Sequence, residues 1–182
     1  NISSGVVYGE SGADTFNISG DARKASIYGG AQSDSVTING SLSSGLVEGA
    51  DGEDTFEVAN FIKSTVKGGA DADLVSASGV VSVGALYGNS GNDTLVLDGL
   101  ATSISAYGGQ GNDSLTFGSS ADSVIYEGGI GADSLFITRR VNSSTLYGDN
   151  ASATTGGDDS ISIGGSASGS YIYANSGDDS VH

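Results

Sequence analysis

The sequence predicts an all-β fold: a right-handed parallel β-solenoid (β-roll or β-helix) of about nine coils, each with two short strands. Three observations carry this expectation. One phrase recurs about every 20 residues, polar and apolar residues alternate after each copy, and proline is absent.

The phrase is Tyr-Gly-x-x-Gly-x-Asp-Ser/Thr-apolar-x-apolar. Copies begin at Tyr8, Tyr28, Glu48, Lys67, Tyr87, Tyr107 and Glu127, an interrupted copy runs from Tyr147 to Ile163, and a partial one from Tyr173 to Val181. The aligned aspartates are Asp14, Asp34, Asp54, Asp73, Asp93, Asp113, Asp133, Asp159 and Asp179, separated by 20 residues except for one spacing of 19 and one of 26. The long spacing locates a surface-loop insertion within residues 149–157. Otherwise residues 1–182 read as a single solenoid, expected to be a piece of a longer protein because the last copy stops partway.

After each aspartate, apolar residues fall two and four positions on, as in Phe16/Ile18, Val36/Ile38 and Leu115/Phe117. A period of two is that of a strand with one face buried. A second strand precedes each glycine turn, with inward residues Val7, Ile27, Val47, Val66, Leu86, Ala106, Tyr126, Leu146 and Ile172. Two residues earlier the column is small, except at Ile104 and Val124. A coil of 20 residues is too short for a strand–helix–strand unit, which takes about 30. Stacking then buries in each coil what one coil cannot bury alone. Proline would break the inter-coil ladder on both edges of every interior coil.

Composition excludes several functions. The chain has 6 Lys plus Arg against 22 Asp plus Glu, a formal charge of −16, so no nucleic-acid partner is expected. No apolar run long enough for a membrane helix exists, and no membrane insertion is expected. Cysteine is absent, which removes disulfides and thiolate metal sites. The single histidine is His182, so no Ser/His pair can form a triad, and the chain is not expected to be an enzyme.

The glycine turns resemble the RTX nonapeptide Gly-Gly-x-Gly-x-Asp-x-apolar-x, most closely at Gly108–Leu115 and Gly128–Leu135. The resemblance covers nearly the whole chain, with two departures. Coils run to 20 residues rather than about 18, and only one of the two turns in each coil carries the motif. The resemblance implies calcium, as several ions in one column rather than two. Implied metal-binding residues are the nine aspartates together with Gly9, Gly29, Gly49, Gly68, Gly88, Gly108, Gly111, Gly128 and Gly131. Calcium takes roughly six to eight oxygens and tolerates irregular geometry. Glycines with positive φ are expected to turn carbonyls inward. Asx-turns are the simpler explanation of an aspartate in a turn. Yet carboxylates about 5 Å apart repel by roughly 0.8 kcal/mol even at the dielectric constant of water. The further acids Glu10, Asp51, Glu53, Asp71, Asp149, Asp158 and Asp178 are expected to be mostly solvated.

The resemblance also implies a secreted or bacterial cell-surface location and export by type I secretion. The expected role is a calcium-dependent structural module of a surface-layer protein, adhesin or giant exoprotein. A non-catalytic module of a secreted enzyme and a polysaccharide-binding module are the alternatives. Partners beyond calcium would be neighbouring copies of the same protein or surface polysaccharide. The outward column Tyr8, Tyr28, Glu48, Lys67, Tyr87, Tyr107, Glu127, Tyr147 and Tyr173 serves either as a stacked edge or as a carbohydrate stripe. An ice-binding lattice does not fit, because residues 13, 33, 53, 72, 92, 112, 132, 158 and 178 form no regular Thr/Asn row.

Overall fold

A computed structural model describes residues 1–150 and 156–182. The part of the expected insertion at 151–155 lies outside the described residues. The chain is a right-handed parallel β-solenoid: every strand pairing is parallel, and no helix occurs among the described residues. Register follows the repeat directly, with Leu95 beside Leu115 and Leu115 beside Leu135. The spacing of 19 is absorbed at one bulge, where pairing shifts between Ile38/Val58 and Ser41/Asn60.

Each typical coil holds a strand after the motif, such as Thr15–Ile18, and one before the next motif, such as Ser26–Ala31. Between them lies a third, shorter piece, Ala22–Arg23, with counterparts at Ala121–Asp122 and Val141–Asn142. In the middle coils it fuses with its neighbours, as in Thr55–Ala70. This corner supplies an inward column of its own, Ala22, Leu42, Phe61, Val81, Ala101, Ala121 and Val141, all fully buried. The sequence pattern did not single it out, because only one residue per coil points inward there and alternation has nothing to repeat.

Corner and pre-motif residues fill one space between them. Leu42 and Phe61 are followed three residues later by Gly45 and Ser64, whereas Ala101 and Ala121 are followed by Ile104 and Val124. A Cβ at Gly45 would meet Leu42 Cδ1 at 2.6 Å, and one at Gly84 would meet Phe61 Cε1 at 2.6 Å. A large residue in one column therefore faces a small one in the other, as close packing requires, while Ala22 and Ala25 are small in both. That accounts for Ile104 and Val124 in an otherwise small column. The buried hydroxyl of Ser64 donates to Ile62 O at 2.8 Å and accepts the Gly45 N–H at 3.1 Å, so the polar exception is hydrogen-bonded.

The turn opposite the motif depends on one left-handed residue per coil. Ser4, Lys24, Ser44, Lys63, Val83, Ser103, Ser123 and Ser143 have φ between 48° and 56°. Val83, at 52°, is the only β-branched side chain among them, and branching makes this region especially unfavourable. It is 45% exposed, so replacing it forfeits little burial. Val83→Asn is expected to stabilise the chain by about 1 kcal/mol, read as a higher denaturation midpoint at unchanged slope. A lower midpoint would show that the valine carries packing that outweighs its backbone strain.

Candidate metal column

The aspartates predicted to line one turn do so, but they point inward. Asp34, Asp54, Asp73, Asp93, Asp113, Asp133 and Asp159 are all buried, and only the end members Asp14 and Asp179 are half-exposed. Each interior carboxylate has two different oxygens. Its Oδ1 accepts the backbone N–H of the aspartate one coil earlier, at 2.7–2.9 Å along the whole column from Asp14 to Asp179. Its Oδ2 is buried without a hydrogen-bond partner in Asp14, Asp34, Asp54, Asp73, Asp93, Asp113, Asp133 and Asp159. A hydrogen bond to an ionised group stabilises by about 1.5–3 kcal/mol, while a buried oxygen left unpaired costs about 1–3 kcal/mol. The ladder is thus half satisfied.

The glycines divide into two kinds, which corrects the reason expected for them. Positive φ belongs to the second and fourth motif positions. Gly109, Gly111, Gly129 and Gly131 lie between 118° and 134°. The same turn forms without glycine at Glu10, Gln32, Ala50, Asp71 and Asn89, with φ of 71–92°. The turn at Asp34, which lacks its second predicted glycine, therefore keeps its shape through Gln32. The first-position glycines, Gly9, Gly29, Gly49, Gly68, Gly88, Gly108 and Gly128, are needed for space instead. A Cβ there would collide with Oδ2 of the aspartate in the same turn and with the carbonyl oxygen of the glycine one coil on. The absent side chain opens a cradle where one carboxylate oxygen and one carbonyl oxygen face the same point.

Two groups in and next to the interrupted coil break the pattern. Tyr126 enters the core as predicted, but its hydroxyl is buried without a partner. Burial, helped by Asp133, Asp113 and Asp159, pushes this phenol well above its ordinary pKa. Asp149, grouped by sequence with the solvated acids, is fully buried. Its Oδ2 accepts Ser176 N–H at 2.8 Å and its Oδ1 has no partner. The other acids of that group, Glu10, Asp51, Glu53, Asp71, Asp158 and Asp178, are exposed. Sequence offered no signal for Asp149, since it stands where neighbouring coils carry Gly129.

The outward tyrosines stack on one another. Ring centroids are 5.1 Å apart for Tyr8–Tyr28, 5.0 Å for Tyr87–Tyr107 and 5.1 Å for Tyr147–Tyr173, with near-parallel planes. Each pair consumes its two inner faces, so the column offers ring edges and the outer faces of pairs rather than a continuous platform.

Tested against calcium, this donor set fits. Unpartnered carboxylate oxygens and carbonyl oxygens recur in every coil, and oxygen is the donor that calcium prefers. Among the described residues no three acidic or histidine side chains converge to hold an ion, so a shell here must draw on backbone carbonyls. The motif-free turns carry no such column of buried acids. Comparison with protein-family models, curated proteins and solved structures finds no match.

Desolvation is the largest influence on these carboxyls. It raises Asp54 and Asp159 to about 6 and Asp73, Asp113 and Asp133 to about 7; Asp93 is raised as well. The partially opposing effect is the backbone hydrogen bond each accepts. A folded-state pKa above the unfolded value means the folded chain holds more protons in between. Without divalent cations, stability should therefore be greatest near pH 4 and fall steadily as pH rises through 7. Melting curves in chelator across that range check the sign, and a rise in stability toward pH 7 would contradict it. The cradle makes a separate prediction. Gly108→Ala should cost more stability than Gly12→Ala, whose Cβ would meet nothing within 4 Å and whose cost is the strain of an L side chain at a φ of 116°. Equal losses in urea denaturation would remove the steric role of the first glycine.

Proposed function

We propose that this chain is a calcium-dependent structural module of a secreted or cell-surface bacterial protein, of the surface-layer, adhesin or giant-exoprotein kind, and not an enzyme. The observation that carries this reading is the column of buried carboxylates, each with one oxygen satisfied by the neighbouring coil and one left unpaired. The chain's own residues do three things. Oδ1 of each aspartate fixes the register of two coils, the first-position glycine leaves room for Oδ2, and the left-handed second and fourth positions set the curvature of the turn. Residues that would hold the metal are Asp14 through Asp179 with carbonyls of the same turns. Bound calcium would neutralise the column and complete the coordination of its oxygens. Folding would then follow export: calcium-poor cytosol leaves the column to its own repulsion and desolvation, and calcium-rich surroundings favour the stacked state, by the linkage of ligand to native state.

Chelation is the direct test. Excess EDTA at pH 8 should abolish the β-sheet circular dichroism or lower the melting temperature by tens of degrees, and magnesium should restore it poorly because it demands tighter octahedral geometry. An unchanged melting curve would sink the reading. Asp113→Ala should weaken calcium binding at adjacent coils as well as its own, since Asp113 is tied to both Asp93 and Asp133. Asp34→Ala should behave similarly, because Gln32 preserves that turn. Glu57→Ala, on an outward position, should match wild type in calorimetric titration. Wild-type stoichiometry and affinity in Asp113→Ala would exclude the motif aspartate as a ligand.

A further inference from the structure

The outward column contains its own example of what an acidic residue does between tyrosine pairs. In register it reads Tyr8, Tyr28, Glu48, Lys67, Tyr87, Tyr107, Glu127, Tyr147, Tyr173. Two gaps separate three stacked pairs. The first gap, between Tyr28 and Tyr87, is filled by the chain itself: Lys67 Nζ lies 3.5 Å from Glu48 Oε2, beside Tyr87 in register. The second gap, between Tyr107 and Tyr147, holds Glu127 and no cation. Among the described residues the ion pairs are Arg23–Asp21 and Lys67–Glu48, and neither involves Glu127.

The geometry of this second gap follows from the ladder. Tyr107 turns one face to Tyr87, and Tyr147 turns one face to Tyr173. Their remaining faces look toward each other across Glu127, two strand spacings or about 10 Å apart. A glutamate side chain is shorter than a tyrosine, so its carboxylate ends between the rings and leaves the outer part of the slot open. Beside Glu127 lies a cavity of about 460 Å³ whose lining includes Tyr87, Tyr107, Gln110, Glu127 and Ile130 but not Tyr147. Ile130 is 51% exposed, an apolar side chain in solvent that lines this cavity with Glu127. Ring faces attract cations, Glu127 supplies the opposite charge, and an exposed apolar wall suits a methylene stem.

We propose that this slot receives a lysine side chain from a protein partner, its ammonium against Glu127 between the faces of Tyr107 and Tyr147 and its stem along Ile130. The occupant is lysine because the chain uses Lys67 for the equivalent acid one gap away, and because a surface of net charge −16 favours basic partners. The site is separate from the metal column: it lies on the outward face of the turn, while the motif aspartates face the core.

Nα-acetyl-lysine methylamide, titrated at fixed ionic strength and saturating calcium against the folded chain with labelled tyrosines, tests this. Circular dichroism confirms folding of each variant, so failure of the calcium reading registers separately. Saturable shifts are expected in the Tyr107 and Tyr147 rings. Binding should weaken at least fivefold in Glu127→Gln and in Tyr147→Leu, persist in Glu57→Gln, and vanish when Nα-acetyl-norleucine methylamide replaces the probe. Shifts that do not saturate, survive unchanged in Glu127→Gln, or appear with the norleucine compound would overturn the proposal. Tighter saturation by choline would overturn the assignment to lysine.

Discussion

The hydrogen bond from each motif aspartate N–H to the carboxylate of the next coil is the constraint on which the rest depends. It is the one side-chain interaction repeated from Asp14 to Asp179, and it sets register at the point where the chain turns most sharply. A parallel ladder by itself tolerates slippage where neighbouring side chains are alike, and in this solenoid like residues stack on like throughout. The aspartate ladder does not tolerate it, because a shift by one residue would part each Oδ1 from the N–H it accepts. The same bond explains how a loss of one residue near Asn60 and an insertion after Asp149 leave the column intact. The loss falls away from the aspartate and its cradle, and the insertion lies between Gly148 and Asp159, yet Asp159 keeps its ladder contacts on both sides.

That solution creates the chemistry of the molecule. Burying a carboxylate beside an identical one is unfavourable, and one hydrogen bond per group offsets only part of the cost. Protonation relieves that cost, and so would the calcium proposed above. The raised pKa values and the unpaired Oδ2 atoms are two expressions of that single imbalance. Around the interrupted coil it is more acute, since Tyr126 in the coil before it and Asp149 within it add two further unpaired oxygens. Outside, the tyrosine pairs and the Glu48–Lys67 pair cover the turn edge and keep charge at the surface, where solvent screens it.

Much of this was legible in the sequence because a solenoid turns one-dimensional spacing directly into three-dimensional stacking. The aspartate column, the single motif turn in each coil, the post-motif pairs such as Leu95/Leu97 and the inward row from Ile27 to Leu146 all lie where the repeat places them. The corner column and the different roles of the glycines were not legible. Ala101 and Phe61 share a column although nothing in their types says so, and the rule that relates them is a volume shared with Ile104 and Ser64. Gly108 and Gly109 look equivalent in the motif. Gly108 has no room for a side chain beside Asp113, whereas Gly109 takes a φ of 121° and sits against the Asn89 carbonyl.

The sequence alone therefore determined the coil length, the parallel stacking, the identity of the inward apolar rows and the alignment of nine aspartates, because each depends only on periodicity. The tertiary structure decided which way those aspartates face, which of their oxygens is satisfied, that Asp149 is buried while Asp158 is exposed, and that Tyr107 and Tyr147 confront each other across Glu127. Those outcomes depend on contacts between residues 20 or more apart in the chain and on the space left by a missing Cβ, and neither is written into any single repeat.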